Sequence, residues 1–220
     1  MRDVTGGFEF GGARRRGALL LLAFAATLGG AAACGDGGSE PPPVTKPAAD
    51  LRIVRRSAAS PPLVANTASF WAVKGEKREL RMFYQRANGS GGNGAEFLRL
   101  RIDKNTLLRR PDGSAIASGD SVLITVTADP NLLSVDFQPT GLRFSALAPA
   151  QLKLRWAEGD DDLNDDDKVD DTDASIRRQL AIWTHEALDD PWLKLATALH
   201  LDVEEAEAKL SGFSGFAVAY

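Results

Sequence analysis

The acidic segment at residues 160–173 has the side chains best suited to ligand chemistry in this 220-residue chain. It contains nine Asp and one Lys, so its net charge is −8. Ca²⁺ is a hard cation that takes six to eight oxygen ligands in a flexible cage, and this segment can supply them. We therefore expect a cation site here with a structural role, because a bound cation would order the loop and tie the strands together.

Residues 162–173 resemble the calcium loop of EF-hands, and more closely that of dockerin-type repeats. Such loops place side-chain oxygens at positions 1, 3 and 5, a main-chain carbonyl at position 7 and a carboxylate at position 12. Dockerins also use Asp at position 12. The resemblance implies five Ca²⁺ ligands, of which the Lys residue contributes its carbonyl: Asp162, Asn164, Asp166, Lys168 and Asp173.

The segment departs from this pattern at position 6, where Asp167 replaces the usual glycine. The chain turns sharply there, and Asp tolerates a positive φ better than most residues, at some cost. A short helix at residues 174–180 can follow the loop, but a strand at residues 152–156 precedes it in place of an entering helix. The alternative interpretation is a solvated Asp-rich turn between two strands.

Cys34 is the only cysteine, and it follows a leader typical of secretion. Arginines at residues 14–16 precede an apolar stretch at residues 17–27, and small residues then lead to Cys34. This order resembles the lipobox of bacterial lipoproteins, with Ala31 at the usual Leu position. The resemblance implies that residues 1–33 are removed and that Cys34 is acylated, which anchors the protein outside the cytoplasm. The alternatives are a secretory signal that leaves a free thiol and a retained anchor, although the apolar stretch is shorter than the ~20 residues of a spanning helix.

Composition predicts one folded domain behind a tether. The whole chain carries −4 and the leader +2, so the remaining 187 residues carry −6, which gives no electrostatic reason to bind nucleic acid. Residues 34–50 are rich in Gly and Pro and have few apolar side chains, which predicts a disordered tether. Residues 51–220 are long enough to form a core without disulfides.

Short alternating segments separated by turns predict a mainly β domain, a β-sandwich or barrel. Residues 97–102 alternate at period two, and residues 122–127 are mostly β-branched. The other predicted strands lie at residues 69–73, 80–84, 135–137, 142–144, 152–156, 180–183 and 215–220. Residues 203–210 are rich in Ala, Glu and Lys, so propensity predicts a helix there, with an edge strand as the alternative.

Several short motifs resemble those of ZU5-type domains, which are β-sandwich interaction modules. They span residues 68–220 and include residues 100–102, 112–113, 119–125, 137–144, 182–183, 191–195 and 213–218. The resemblance implies a sandwich without a catalytic centre. Some members cleave themselves at His-Phe-Ser, but Gly212 replaces the histidine base here, so we expect no self-cleavage.

No other residue pattern predicts catalysis. His185 and His200 are not spaced as a zinc site, and a triad of Ser214, His200 and Asp202 lacks a nucleophile turn. Four Trp residues would favour sugar binding if two were exposed and coplanar.

We therefore expect a non-enzymatic, lipid-anchored cell-envelope module whose partner is an envelope protein or a glycan. One alternative is a carbohydrate-binding or polysaccharide-complex component. The other is an extracytoplasmic hydrolase, for which the sequence offers no motif.

Overall fold

The computed structural model describes residues 42–86, 92–187 and 190–220. The predicted signal peptide, Cys34, the tether up to residue 41 and residues 88–91 of a Gly-rich loop lie outside these residues. None of the helices in the described part of the chain is long and apolar enough to cross a membrane.

The described chain forms a β-sandwich, which confirms the predicted fold class. A seven-stranded antiparallel sheet faces a five-stranded one, and a two-stranded ribbon completes the fold. The strands are β1 Thr45–Lys46, β2 Thr67–Val73, β3 Arg78–Gln85, β4 Asn93–Ile102, β5 Leu107–Arg109, β6 Ser121–Ala128, β7 Ser134–Gln138, β8 Arg143–Phe144, β9 Ala150–Arg155, β10 Ala181–His185, β11 Trp192–Lys194, β12 Thr197–His200, β13 Glu205–Leu210 and β14 Gly215–Ala219; the helices are a 3₁₀ turn at Ala48–Asp50 and α1 at Asp171–Arg177. The seven-stranded sheet has the order β1-β11-β10-β14-β7-β6-β2, the five-stranded sheet β12-β13-β9-β4-β3, and the ribbon β5-β8.

The core lies between the two sheets because period-two alternation sends one set of side chains inward from each strand. In β6, Val122, Ile124 and Val126 are buried while the residues between them point outward. In the five-stranded sheet, Leu100 of β4 and Leu152 of β9 are wholly buried. Full burial of such a side chain contributes about 1.5–3 kcal/mol, so these rows hold the sheets together.

The prediction of a helix at residues 203–210 is wrong, because residues 205–210 form β13. This strand lies inside the five-stranded sheet, between β12 and β9, and is therefore not an edge strand either. Ala206, Ala208 and Leu210 are buried, while Glu205 and Glu207 point to the outer face. Pairing on both sides and burial of the alternate residues outweigh the helix propensity of Ala, Glu and Lys.

The N-terminal end of the described chain is also more ordered than its composition predicts. β1 lies at residues expected to be tether and pairs with β11. The chain then covers the outer face of the seven-stranded sheet, where a second apolar cluster forms around Leu51, Trp183 and Trp192. The ordered domain thus begins before residue 51, because this outer face carries apolar side chains that need a cover.

The short helix expected after the acidic segment is present as α1. Asp170 caps it, and Asp173 completes a reciprocal capping box with the main chain of Asp170. Such a cap stabilises a helix start by about 1 kcal/mol. The helix begins at residue 171 and includes Asp173, so the end of the acidic segment is built into its first turn.

Candidate metal-binding sites

The acidic loop, residues 160–173, connects β9 to α1 and is shaped by its own carboxylates. Asp162 accepts hydrogen bonds from the main-chain N–H groups of Asp166 at 3.2 Å and Asp167 at 2.8 Å. Asp167 has a φ of 63°, so this non-glycine residue adopts the left-handed turn that position 6 demands. The hydrogen bonds to Asp162 hold the turn in place.

The middle of the loop repeats the same arrangement. Asn164 Oδ1 accepts from the N–H of Asp166 at 3.2 Å, and Asp166 Oδ1 accepts from the N–H of Lys168 at 3.0 Å. The Asn164 amide also donates to Asp166 Oδ2 at 3.1 Å. Three of the predicted ligand side chains therefore contact the loop's own main chain or one another.

Asp173 closes the loop from a buried position. Its Oδ1 accepts from the N–H groups of Leu163 at 2.7 Å and Asn164 at 3.3 Å, and its Oδ2 accepts from Asp170 at 2.9 Å. These bonds, led by the one from Asp170, lower the pKa of Asp173 despite an opposing effect of burial. Asp173 thus remains a carboxylate and ties the beginning of the loop to its end.

The loop also contacts two segments that are distant from it in sequence, residues 52–55 and Tyr220. Arg55 pairs with Asp165, and Arg52 lies 3.9 Å from the same carboxylate. Tyr220, the last residue, donates its hydroxyl to the carbonyl of Leu163. A change in the conformation of the loop would therefore change the contacts of Arg52, Arg55 and Tyr220.

A second ligand-bearing group lies on the outer face of the five-stranded sheet and consists of His200, Glu205 and Glu207, called here the sheet-face group. Within residues 42–86, 92–187 and 190–220, it is the one place where ligand atoms of three His, Cys, Asp or Glu residues all lie within 4.8 Å of one another. The carboxylates of the acidic loop are not part of it. The sheet-face group therefore has the spacing that a metal site needs, whereas the Ca²⁺ ligands of the loop stay a prediction.

Strand register builds the sheet-face group. His200 of β12 lies directly opposite Glu205 of β13, and Glu207 follows two residues later on the same face. The exposed side-chain fractions are 12% for Glu205 and 30% for Glu207. These carboxylates are thus only partly hydrated, and their negative charge needs a cation nearby.

Lys153 of β9 supplies that cation. Its ammonium group lies 2.6 Å from Glu205 Oε1 and 3.2 Å from Glu207 Oε2. The hydrogen bond to Glu205, with a further one to Glu207, raises the pKa of Lys153 against the effect of burial. The helix prediction hid this group, although the period-two sequence Glu-Ala-Glu-Ala at residues 205–208 signals a strand.

The remaining sequence candidates lie apart from both groups. The Ser214 hydroxyl lies 2.5 Å from that of Thr184, and its described hydrogen bonds include none to a histidine. His185 Nδ1 lies 2.8 Å from the carbonyl of Ala187, and its ring is 4.1 Å from that of Trp192. The candidate triad of Ser214, His200 and Asp202 is therefore not connected by hydrogen bonds in the described residues.

The four Trp residues do not form an exposed pair. Trp71 is 58% exposed on β2, while the other three are buried in the two apolar clusters. Sugar binding through a coplanar Trp platform therefore has no support. No family model, no curated protein and no solved structure matches this chain.

Proposed function

We propose that this protein is a non-enzymatic, lipid-anchored module of the bacterial cell envelope, and that its acidic loop binds Ca²⁺. The observation that carries the calcium part is the turn at Asp167, whose φ of 63° reproduces the conformation normally given to glycine at position 6. The missing glycine was the main sequence argument against a calcium loop. The turn that Asp167 adopts supports the loop interpretation over an irregular solvated turn.

The charge of the loop also favours a cation. Three arginines offset only part of its net charge of −8. Arg55 and Arg52 lie at Asp165, and Arg177 lies 2.5 Å from Asp161. Asp162 and Asp166 have no such partner among the described residues. A carboxylate oxygen that accepts one N–H keeps a second lone pair, so these side chains can bind Ca²⁺ without losing the bonds that shape the loop.

The expected role of Ca²⁺ is structural. The loop contacts Arg55 near the start of the domain and Tyr220 at its end, so an ordered loop would stiffen both. An affinity of ~10⁻⁴–10⁻³ M suits extracellular modules, which work where Ca²⁺ is abundant. The β-sandwich supports a ZU5-like interaction module at the level of architecture.

The proposed anchor at Cys34 leaves a short tether. The first paired strand begins at Thr45, eleven residues beyond Cys34. A fully extended chain spans at most ~3.3–3.6 Å per residue, so Thr45 would lie within about 40 Å of the acylated residue. This distance favours a partner in the same envelope layer.

Calorimetry with Ca²⁺ on the full-length protein in detergent tests the calcium site. We expect saturable binding near ~10⁻⁴–10⁻³ M that Asp162→Ala weakens at least about tenfold. Asp171→Ala is the matched control because it removes the same charge from an exposed residue that is not a predicted ligand. Absence of binding heat at millimolar Ca²⁺, or equal losses in both variants, would sink the calcium site.

Membrane fractionation and mass spectrometry test the anchor separately. We expect an acylated Cys34 at the mature N-terminus, and Cys34→Ser should abolish the lipid mass on the protein. An unmodified thiol would make this a secreted module and leave the calcium proposal untouched. A pull-down of envelope proteins from the native membrane, with and without Ca²⁺, then searches for the partner.

A further inference from the structure

We propose that His200, Glu205 and Glu207 form a second metal site, which binds a divalent transition-metal ion such as Zn²⁺. Their ligand atoms all lie within 4.8 Å of one another and come from two paired strands. The main-chain hydrogen bonds between β12 and β13 set the register of His200 against Glu205, and β13 is fixed further by its pairing with β9. The three residues thus already lie on one face, at a spacing that one ion can bridge after small side-chain rotations.

The donor set determines the class of metal. One imidazole nitrogen and two carboxylates suit Zn²⁺, which is bound by His, Asp and Glu and often keeps water in a fourth position. Ca²⁺ and Mg²⁺ prefer oxygen ligands alone, so the histidine selects against them. The sheet-face group and the acidic loop should therefore bind different ions.

Lys153 is the internal competitor of the metal. Its ammonium group bridges Glu205 and Glu207, so a metal ion that uses both carboxylates must displace it. The long lysine stem allows the ammonium to swing toward solvent. Binding would then exchange one cation for another over carboxylates that are already fixed and partly shielded from water.

Neighbouring charges keep the expected affinity moderate. Arg155 lies opposite Glu205 on β9, and Arg99 lies opposite Lys153 on β4. Arg99 is 2.8 Å from Glu96, which offsets part of its charge. Because Lys153 competes with the metal for both carboxylates, its removal should raise the affinity of the site for Zn²⁺.

Calorimetry with Zn²⁺ on the full-length protein tests this site, with a purification tag free of histidine and Ca²⁺ present in excess to occupy the loop. We expect one saturable Zn²⁺ site that His200→Ala weakens at least about tenfold, a scale on which even outer-shell partners of a metal act. His185→Ala is the matched control because it removes the only other histidine, and it should leave Zn²⁺ binding unchanged. Lys153→Met should tighten binding about tenfold, while Lys209→Met, on the same outer face, should not.

Three calorimetric results would overturn the site: no saturable Zn²⁺ binding, equal loss in the two histidine variants, or a loss caused by Asp162→Ala instead of His200→Ala. The last result would place Zn²⁺ in the acidic loop. NMR of the two imidazoles guards against misfolded variants, because Zn²⁺ should shift the His200 signals of the unmodified protein and not those of His185. A shift of His185 alone would contradict the proposal as directly.

Discussion

The acidic loop and the sheet-face group both gather carboxylates, but they hold them in different ways. In the loop, Asp162 and Asp173 accept hydrogen bonds from main-chain N–H groups, so the chain itself shapes the cluster. On the sheet, strand register sets the positions and Lys153 offsets part of the negative charge. A cation bound by the loop would therefore add to the hydrogen bonds already there, whereas a metal on the sheet would have to displace the Lys153 ammonium.

Asp173→Ala should have the largest effect, because it tests whether the loop is held by its own main chain. The substitution leaves three N–H groups without their acceptor, two of them at the beginning of the loop. Each such loss is costly at a buried site, and we expect the Tm in a chelating buffer to fall by about 5 °C or more. Thermal unfolding by circular dichroism measures it.

Asp171→Ala provides the reference for that comparison. Asp171 lies in the same helical turn but is exposed and outside the capping box. A Tm loss as large as that of Asp173→Ala would mean that loop charge, and not the hydrogen bonds of Asp173, decides stability.

At low pH, protonation of Asp173 should weaken the hydrogen bonds that hold the acidic loop. The folded-state pKa of Asp173 lies below its ordinary value of 3.8, so its contribution is complete above pH 3.8 and is lost as the pH falls through the folded value. We expect Asp173→Asn to flatten the fall in Tm as the pH drops below 3.8, and to leave the slope above that pH unchanged. Parallel curves for the two proteins would contradict this assignment.

At high pH, deprotonation of Lys153 should weaken the ion pairs of the sheet-face group, with a smaller loss of stability than acid causes at Asp173. The folded-state pKa of Lys153 is raised above 10.5, so its contribution is complete below pH 10.5 and is lost as the pH rises through the folded value. A partly exposed ion pair contributes about 1 kcal/mol or less, so the free energy of unfolding should change by no more than that. Urea unfolding at pH 9 and above should show a smaller pH dependence in Lys153→Met than in Lys209→Met.

The two regions also differ in how far the sequence predicted them. The spacing of Asp162, Asn164 and Asp166 is local, so a pattern of side-chain oxygens was enough to locate the loop and the helix after it. The anchoring role of Asp173 was not predictable, since its partners depend on the folded path of the chain. The φ of Asp167 was likewise open, because Asp tolerates that region without requiring it.

The sheet-face group escaped prediction for a different reason. On a helix, Glu205 and Glu207 would diverge, whereas on β13 they share a face opposite His200. The β-sandwich itself followed from period-two alternation, as in β6, but the order of the strands did not, because pairing such as that of β13 with β9 joins residues about fifty positions apart. The early start of the ordered domain was missed since Leu51, Trp183 and Trp192 meet only after folding.

The smallest expected effect separates the roles of two lysines. In the proposed loop site, Lys168 binds Ca²⁺ through its main-chain carbonyl, so Lys168→Ala should change Ca²⁺ affinity less than about threefold, and toward tighter binding because an exposed, screened positive charge is lost. Lys153→Met instead removes a charge that lies directly on two candidate ligands, and it should change Zn²⁺ affinity about tenfold. Calorimetry on both variants with both ions measures the contrast. A tenfold loss of Ca²⁺ affinity in Lys168→Ala would contradict this expectation, because it would show that the lysine side chain itself supports the loop.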